Sequence, residues 1–516
     1  MHNLPFASLL GVMCFAVING VLLPNHDASK ADRISDFEPT EHTFRLANYY
    51  QDGMVLQCGE PPAWIWGYGQ PGEGVDIVMD VDIISTRVNE HGIWAADLWL
   101  MPCYNETFDL EISQYIRKTK KVTTIYLRNM FNGTNELEAS TRLDLFKVMR
   151  ILPSESPHPL KEPTIMLNWT RANPQVLREF SAVCWATVRR IYEDLRNRFN
   201  DSVPMGLVGA YYDGTPIRAW SPPQVFSKCR STTSTTNSSE NQFKGPEKDS
   251  VLWNAMLAPL KFMTFKAILW YQGESDAALH PDAYACMFEN FISTWRESLT
   301  YWSKTTPFGF VQIGCQNNES IPDGTALVRW HQTADYGYVP QKKLLRTFMA
   351  VAMDLPDPHS PYGSIHPRYK EEIAQRLYTG IMSVVYYVHK PFQGPFPRRI
   401  QLVDRHVFIQ YDQSINFIWN STDTFEVCCE VDITGSDSWK RCRGWHAVTS
   451  EFTTGGDEVK LKTGPCRDRA RFVRYAWKLT PCAYKNCRVY ATDDLGDERG
   501  LPGPPFVLPT NWISEQ

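Results

Sequence analysis

Residues 267–276 read Ala-Ile-Leu-Trp-Tyr-Gln-Gly-Glu-Ser-Asp, an apolar run that stops on a glycine flanked by amide, carboxylate and hydroxyl side chains. Such a run is a buried strand that delivers chemistry to its C-terminal end. In an open α/β sheet, ligands bind beyond the carboxyl ends of the strands, so the polar cluster is a site candidate. A second run, 349–353, leads into Asp354, and Gly363-Ser364-Ile365-His366-Pro367 follows before a helical pattern. Together these supply an acid and a histidine. No serine or cysteine stands in a Gly-x-Ser-x-Gly nucleophile turn anywhere in the chain.

From about Phe146 the chain alternates strand and helix. Asn173-Pro174 is an N-cap followed by proline at the first helical position, and Val176, Phe180, Val183, Cys184, Ile191 and Leu195 mark one apolar face. Strands follow at 205–211, 267–271, 308–313 and 348–353, which predicts a doubly wound α/β core over residues 146–387. Ahead of it, short β-like runs between Gly/Pro turns (54–56, 63–66, 75–79, 93–95) predict an antiparallel β-rich domain over 44–129. Behind it, aromatic-rich strands predict a further β region over 400–509. The Ser/Thr/Asn run 231–240 reads as a solvated surface loop.

With 516 residues, 43% hydrophobic and 21% charged, the chain is ordinary globular material for two or three domains. A net charge of −5 without a long Lys/Arg run gives no footprint for nucleic acid. Residues 6–18 form an apolar run of the length found in secretory leaders, though without preceding Lys or Arg, and 1–28 is read as a signal peptide. No other stretch approaches the ~20 apolar residues of a membrane span. Setting aside Cys14, which falls in that leader, the 13 cysteines leave an even set. Cys428, Cys429, Cys442, Cys466, Cys482 and Cys487 crowd the C-terminal region, which predicts disulfides paired within that cluster. The lack of Cys-x-x-Cys pairs argues against a zinc site. Sequons at Asn105, Asn132, Asn168, Asn200, Asn237, Asn318 and Asn420 agree with the secretory route.

A series of blocks runs from residue 44 to 508: Asp52-Gly53-Met54-Val55-Leu56-Gln57, Ile65-Trp66-Gly67, Gly214-Thr215-Pro216-Ile217, Val251-Leu252-Trp253-Asn254-Ala255-Met256, the 270–275 segment, Arg329-Trp330-His331-Gln332-Thr333-Ala334-Asp335 and Ile365-His366-Pro367. Through them the chain resembles the sialate O-acetylesterase family of SGNH-type hydrolases. The resemblance implies an SGNH-hydrolase-like parallel sheet flanked by N-terminal and C-terminal β-rich domains. It implies cofactor-free hydrolysis of O-acetyl esters on sialic acids by a serine and a histidine, O-acetylated sialic acid or a sialoglycan as partner, and a secreted or lysosomal location. It also implies a strand leading into a Gly-Gln-Ser-Asn-Met turn that carries the serine. Here 125–129 runs directly into Met130-Phe131-Asn132-Gly133-Thr134, the segment that follows that serine in relatives, so the nucleophile block is missing at the Asn129–Met130 junction. Loss of a central strand predicts unpaired backbone on 148–152 and 205–211, unless a replacement such as 122–127 moves in.

Ester hydrolysis needs a base, a group to orient it and donors for the oxyanion. By motif His366 is the base. Asp354 at a strand end, Asp357 in the following loop and Glu274 in the Gln-Gly-Glu turn compete as its orienting acid, with Asp354 favoured. Gly214 keeps the place of an oxyanion-side glycine, and Gln272 is a donor for oxyanion or substrate. Where relatives have Trp-Gly-Gly, this chain has Tyr212-Asp213-Gly214, and Asp213 sets a negative charge beside the developing oxyanion. His331, with Trp330 and Asp335, reads as helix packing. The competing reading is a non-catalytic glycan-binding protein that keeps the pocket without turnover.

Overall fold

The apolar runs become strands because each is flanked by residues that end it and is long enough to cross one sheet. The computed structural model describes residues 12–17, 43–51, 54–56, 62–79, 82–98, 110–114, 145–199, 204–229, 245–298, 305–315, 323–422, 424–431, 438–492 and 500–514. Its central sheet contains β1 (Val12–Val17), β2 (Phe146–Ile151), β3 (Ile165–Arg171), β4 (Met205–Tyr211), β5 (Ala267–Tyr271), β6 (Phe308–Gln312) and β7 (Thr347–Val351), in the order β7-β6-β5-β1-β4-β2-β3. Side chains alternate between two cores. Ile268 and Trp270 face one with Phe291 and Trp295, whereas Ala267, Leu269 and Tyr271 face the other with Val188 and Ile373. Helices α1 (Ala182–Phe199) and α4 (Lys370–Val384) pack together over the second face, and α2 (Tyr284–Ser298) and α3 (Gly324–His331) cover the first.

Three sequence expectations change. The sheet is mixed: β2 runs parallel to β4 and β5, β6 and β7 run parallel in turn, but β1 is antiparallel to both neighbours and β3 is antiparallel to β2 at the edge. The vacancy expected between 148–152 and 205–211 does not occur, because β2 and β4 bond directly, with Leu207 opposite Val148. The suggested replacement, 122–127, lies outside the described residues. On its other edge β4 is satisfied by β1, drawn from the segment read as a leader, and Val12 stands opposite both Tyr211 and Tyr271. A buried strand needs ladder partners on both edges, and these pairings supply them. Thirdly, the helix capped by Asn173 is short. Its Oδ1 accepts from the Gln175 and Val176 amides, but the turn ends at Leu177, and α1 starts anew with the Ser181 hydroxyl accepting from the Cys184 amide at 3.2 Å. The predicted apolar face nevertheless sits in a single core.

The N-terminal region has two three-stranded sheets, Arg45–Leu46 with Ala63–Tyr68 and Ile93–Leu98, and Gly74–Met79 with Asp82–Arg87 and Leu110–Gln114. The Trp169 indole of β3 donates to the Tyr49 carbonyl at 3.0 Å and fastens it to the core. The C-terminal β region is fastened by Arg329. This buried guanidinium donates through Nε to the Ile313 carbonyl (2.9 Å), through Nη2 to Gly314 (2.6 Å) and Leu479 (2.9 Å), and through Nη1 to Lys478 (2.7 Å).

The C-terminal cysteines pair within their cluster as Cys428–Cys442, Cys429–Cys466 and Cys482–Cys487, and Cys229 pairs with Cys286. The even set is not fully bonded: Cys315 is a buried free thiol that donates to the Met353 carbonyl at 3.0 Å, and burial pushes it up to about 11. Peptide mapping without reduction is expected to return these pairs, with Cys315 alkylated only after denaturation. Alkylation of Cys315 in the native protein, or its recovery in a disulfide, would contradict this arrangement.

Candidate active site

At the end of β5 the backbone reverses at Gly273, where φ is +140°, a region L side chains rarely adopt, and an added Cβ would meet Ile313 and Val328 at 3.0 Å. Gln272 faces inward. Its amide nitrogen donates both protons, to the Thr215 carbonyl (3.0 Å) and to Asp276 Oδ2 (2.5 Å), and its carbonyl oxygen accepts from the Tyr284 hydroxyl (3.1 Å). With both protons engaged it has none left for an oxyanion. It is a latch instead: it ties the turn after β4 to the end of β5. Asp276 completes the latch by accepting from the Ile217 amide at 2.8 Å. Burial raises the Asp276 carboxyl to about 7, against the opposing hydrogen bonds from Gln272 and Ile217. Within the same turn Gly214 has φ +67°, and the Thr215 hydroxyl donates to the Tyr212 carbonyl at 2.9 Å.

Asp354 ends its strand as expected, yet it does not bond His366. Arg376 of α4 donates to its two oxygens at 2.6 and 2.8 Å, and the Tyr490 hydroxyl donates to Oδ2 at 3.3 Å. Its carboxylate is the anion of a buried ion pair within the core, which the C-terminal region joins through the Tyr490 hydroxyl. Asp357 is likewise committed. It receives Arg368 Nε at 2.7 Å, Nη2 at 2.9 Å and the Arg368 amide at 3.0 Å, a clamp that closes the loop carrying His366. Inside that loop the Ser360 hydroxyl donates to the His366 carbonyl at 2.7 Å. Among the described residues no hydrogen bond is made to the His366 imidazole, which burial, helped by Lys370, lowers to about 4. At neutral pH the ring is therefore an uncharged base.

Glu274, the third contender, is 4% exposed, and its Oε2 has no partner. Burial pushes its carboxyl up to about 7; Asp213 and Asp276 push the same way, and Lys370 opposes them. Lys370, the first residue of α4, escaped the sequence reading. It retains some surface, but its ammonium is desolvated and lowered to about 8, held up by Glu274 and Asp357. Its Nζ lies 3.5 Å from the Tyr271 hydroxyl and 4.9 Å from the centre of that ring. Electrostatics thus join His366, Lys370, Glu274 and Asp213. The only advance signal for Lys370 was its place three residues after His-Pro. His331 pairs its Nδ1 with Asp335 at 2.5 Å in a helix-packing role, and its buried Nε2 has no partner. No group of three or more His, Cys, Asp or Glu among the described residues is arranged to hold a metal, and no described helix is long and apolar enough to cross a membrane.

Comparison with known proteins identifies the family of the chain. Residues 167–358 match the family profile "carbohydrate esterase, sialic acid-specific acetylesterase", and 399–510 match the sialate O-acetylesterase C-terminal domain. The chain is 32% identical to the sialate O-acetylesterases of Pongo abelii and of Homo sapiens, over 92% of this chain and 93% of each relative. The crystal structure of a carbohydrate acetylesterase from Xanthomonas citri shares the fold at 20% identity, with a TM-score of 0.69 over 90% of this chain and 99% of that one.

Arg376→Met leaves Asp354 as an uncompensated buried charge. It is expected to cost roughly 3–5 kcal/mol in urea unfolding, and Asp354→Asn in the same chain should recover part of that. A cost near zero would mean that Asp354 is free for another role. Glu274, whose folded carboxyl is raised, contributes stability present below its unfolded value and lost as pH rises through about 7. Glu274→Gln should therefore leave stability nearly unchanged at pH 4.5 and raise it at pH 8 by about 1–3 kcal/mol, and equal effects at both would rule out a titrating Glu274.

Proposed function

Because the chain belongs to the sialate O-acetylesterase family, we propose that the cluster at the carboxyl ends of β4, β5 and β7 receives O-acetylated sialic acid, free or on a glycan, and that it does so without turnover. The observation carrying this reading is the state of His366: a neutral base to which no serine or cysteine is hydrogen-bonded among the described residues. In the family reaction a serine attacks the acetyl carbonyl while the histidine takes its proton, and backbone amides hold the oxyanion. His366, the Gly214 turn and a carboxyl group at Glu274 remain for the base, oxyanion and acid roles. With Asp354 and Asp357 held by arginines, Glu274 is the acid left to act beside the base. The nucleophile has no counterpart among the described residues, and Asp213 adds negative charge near the oxyanion position.

The direct β2–β4 pairing favours the binding reading, since the sheet is continuous across the place expected to be empty. Passage through the secretory route, ending outside the cell or in the lysosome, belongs to the same proposal and is supported by the C-terminal disulfides.

The purified chain is expected to hydrolyse neither O-acetylated sialic acid nor an aryl acetate above a His366→Ala control, at least ~10⁴-fold below an intact member of the family. It should still perturb the NMR signals of O-acetylated sialic acid. Turnover abolished both by His366→Ala and by a serine-directed phosphonate would reveal a nucleophile and overturn the proposal.

A further inference from the structure

We propose that Lys370 is the anion receptor of this site, its ammonium binding the carboxylate of a sialic acid while Glu274 takes up a proton from solvent as that anion arrives. The inference rests on the reading of the site as one for sialic acid.

Two halves of an ion pair lie in one cluster without touching. Among the described residues, the Lys370 ammonium has no carboxylate oxygen within ion-pair distance, and its one hydrogen bond, to the Tyr271 hydroxyl, is 3.5 Å long. Glu274 Oε2 is buried without a donor. Each feels the other's charge, yet neither satisfies the other. A buried ammonium and a buried carboxylate are costly to leave in that condition, and a folded chain ordinarily closes such a pair or fills the gap. The missing piece is a ligand that offers an anion to Lys370 and a donor to Glu274. A sialic acid combines these, because its carboxylate is attached to a sugar bearing hydroxyls and an amide N–H.

A second anion at one ammonium cannot be accommodated while Glu274 stays ionised. Glu274 already faces Asp213 and Asp276 on the negative side, Lys370 and Arg329 on the positive, and the uncharged Tyr271 and Tyr284 hydroxyls. Lys370 faces Glu274, Asp357 and the neutral His366, and Asp357 is committed to Arg368. Glu274 is therefore the group that gives way: with its carboxyl near 7, it accepts a proton when the ligand carboxylate enters. The proton adds to a Glu274 oxygen and no covalent bond breaks. Anion binding should thus tighten as pH falls from 8 to 6, whereas a surface lysine, protonated throughout that range, would give almost no pH dependence.

The test is calorimetric titration of N-acetylneuraminic acid and of its methyl ester into the full chain, with Lys370→Met, Lys370→Arg and Glu274→Gln alongside. Titrations run at pH 6, 7 and 8, and at pH 7 in two buffers of different ionisation enthalpy. The acid should bind about tenfold more tightly than the ester to the unsubstituted protein, and equally to Lys370→Met, with part of the preference returning in Lys370→Arg. At pH 7 binding of the acid should take up a fraction of a proton, and Glu274→Gln should remove most of that uptake, leaving the small part Lys370 takes up itself. Unchanged affinity for the acid in a Lys370→Met protein that melts normally would sink Lys370 as receptor while leaving the site reading intact. Binding of neither compound to the unsubstituted protein would sink the site reading itself. Should Lys370→Met fail to fold, equal binding of acid and ester, or a proton uptake unaltered by Glu274→Gln, still overturns the proposal.

Discussion

Arg329 holds together the two regions on which the site depends. A buried guanidinium is tolerable only when its donors are met, and here the carbonyls of Ile313, Gly314, Lys478 and Leu479 meet them. The guanidinium donates in a fixed fork geometry, so the loop leaving β6 and the 478–479 segment of the C-terminal region are set at one separation. Lysine, with a single nitrogen, has no means of reaching all four. The Asp354–Arg376 pair, with the Tyr490 hydroxyl on the carboxylate, makes a second junction between the same regions at the end of β7. The loop bearing His366 leaves from the second of these junctions and is closed on itself by Asp357 and Arg368.

Within that frame the site is ordered by groups that do not present themselves to a ligand. Gln272 and Asp276 bond each other and each makes one bond to the backbone of the 212–217 turn, so the positive-φ Gly214 is fixed relative to Glu274. Gln332 reinforces this by donating to the Gln272 and Val311 carbonyls while accepting from the Ile313 amide. The remaining polar groups, His366, Lys370 and Glu274, are ones whose charge states burial has pulled toward neutrality. Rigid polar scaffolding around a few underused groups is the division of labour expected of a binding site.

Much of this was legible in the residues because it is local. Runs ending on Gly273 and Asp354 gave strands with polar termini, and the crowding of six cysteines in a β region gave their pairing within one cluster. What escaped depends on contacts far apart in sequence. Nothing near Asp354 shows that Arg376, on the next helix, claims both of its oxygens, and nothing near Gln272 shows that its amide is spent on Thr215 and Asp276. Lys370 opens an amphipathic helix, where a lysine ordinarily reads as solvated, and only the packing of that helix against Tyr271 reveals its desolvation. The break between Leu177 and α1 was hidden because Asn173-Pro174 is a valid helix start in its own right. The apolar stretch 6–18 has one composition for two fates, targeting or burial, and periodicity does not distinguish them.

That stretch bears on how many rigid bodies carry the site. β1 is the one strand linking β4 to β5, and neighbouring strands lie ~4.8 Å apart, so its withdrawal would open a slot of about twice that spacing between them. The sheet would divide into a block of β2, β3 and β4 bearing Gly214 and a block of β5, β6 and β7 bearing Glu274, with His366 and Lys370 following β7. The side-chain bridges from Gln272 to Thr215 and from Asp276 to Ile217 would then be hydrogen bonds across a seam instead of bonds within one slab. A chain cut before Val12 would keep this strand in the sheet, whereas one cut beyond Val17 would lack it and leave those side-chain bridges to hold the two halves of the site.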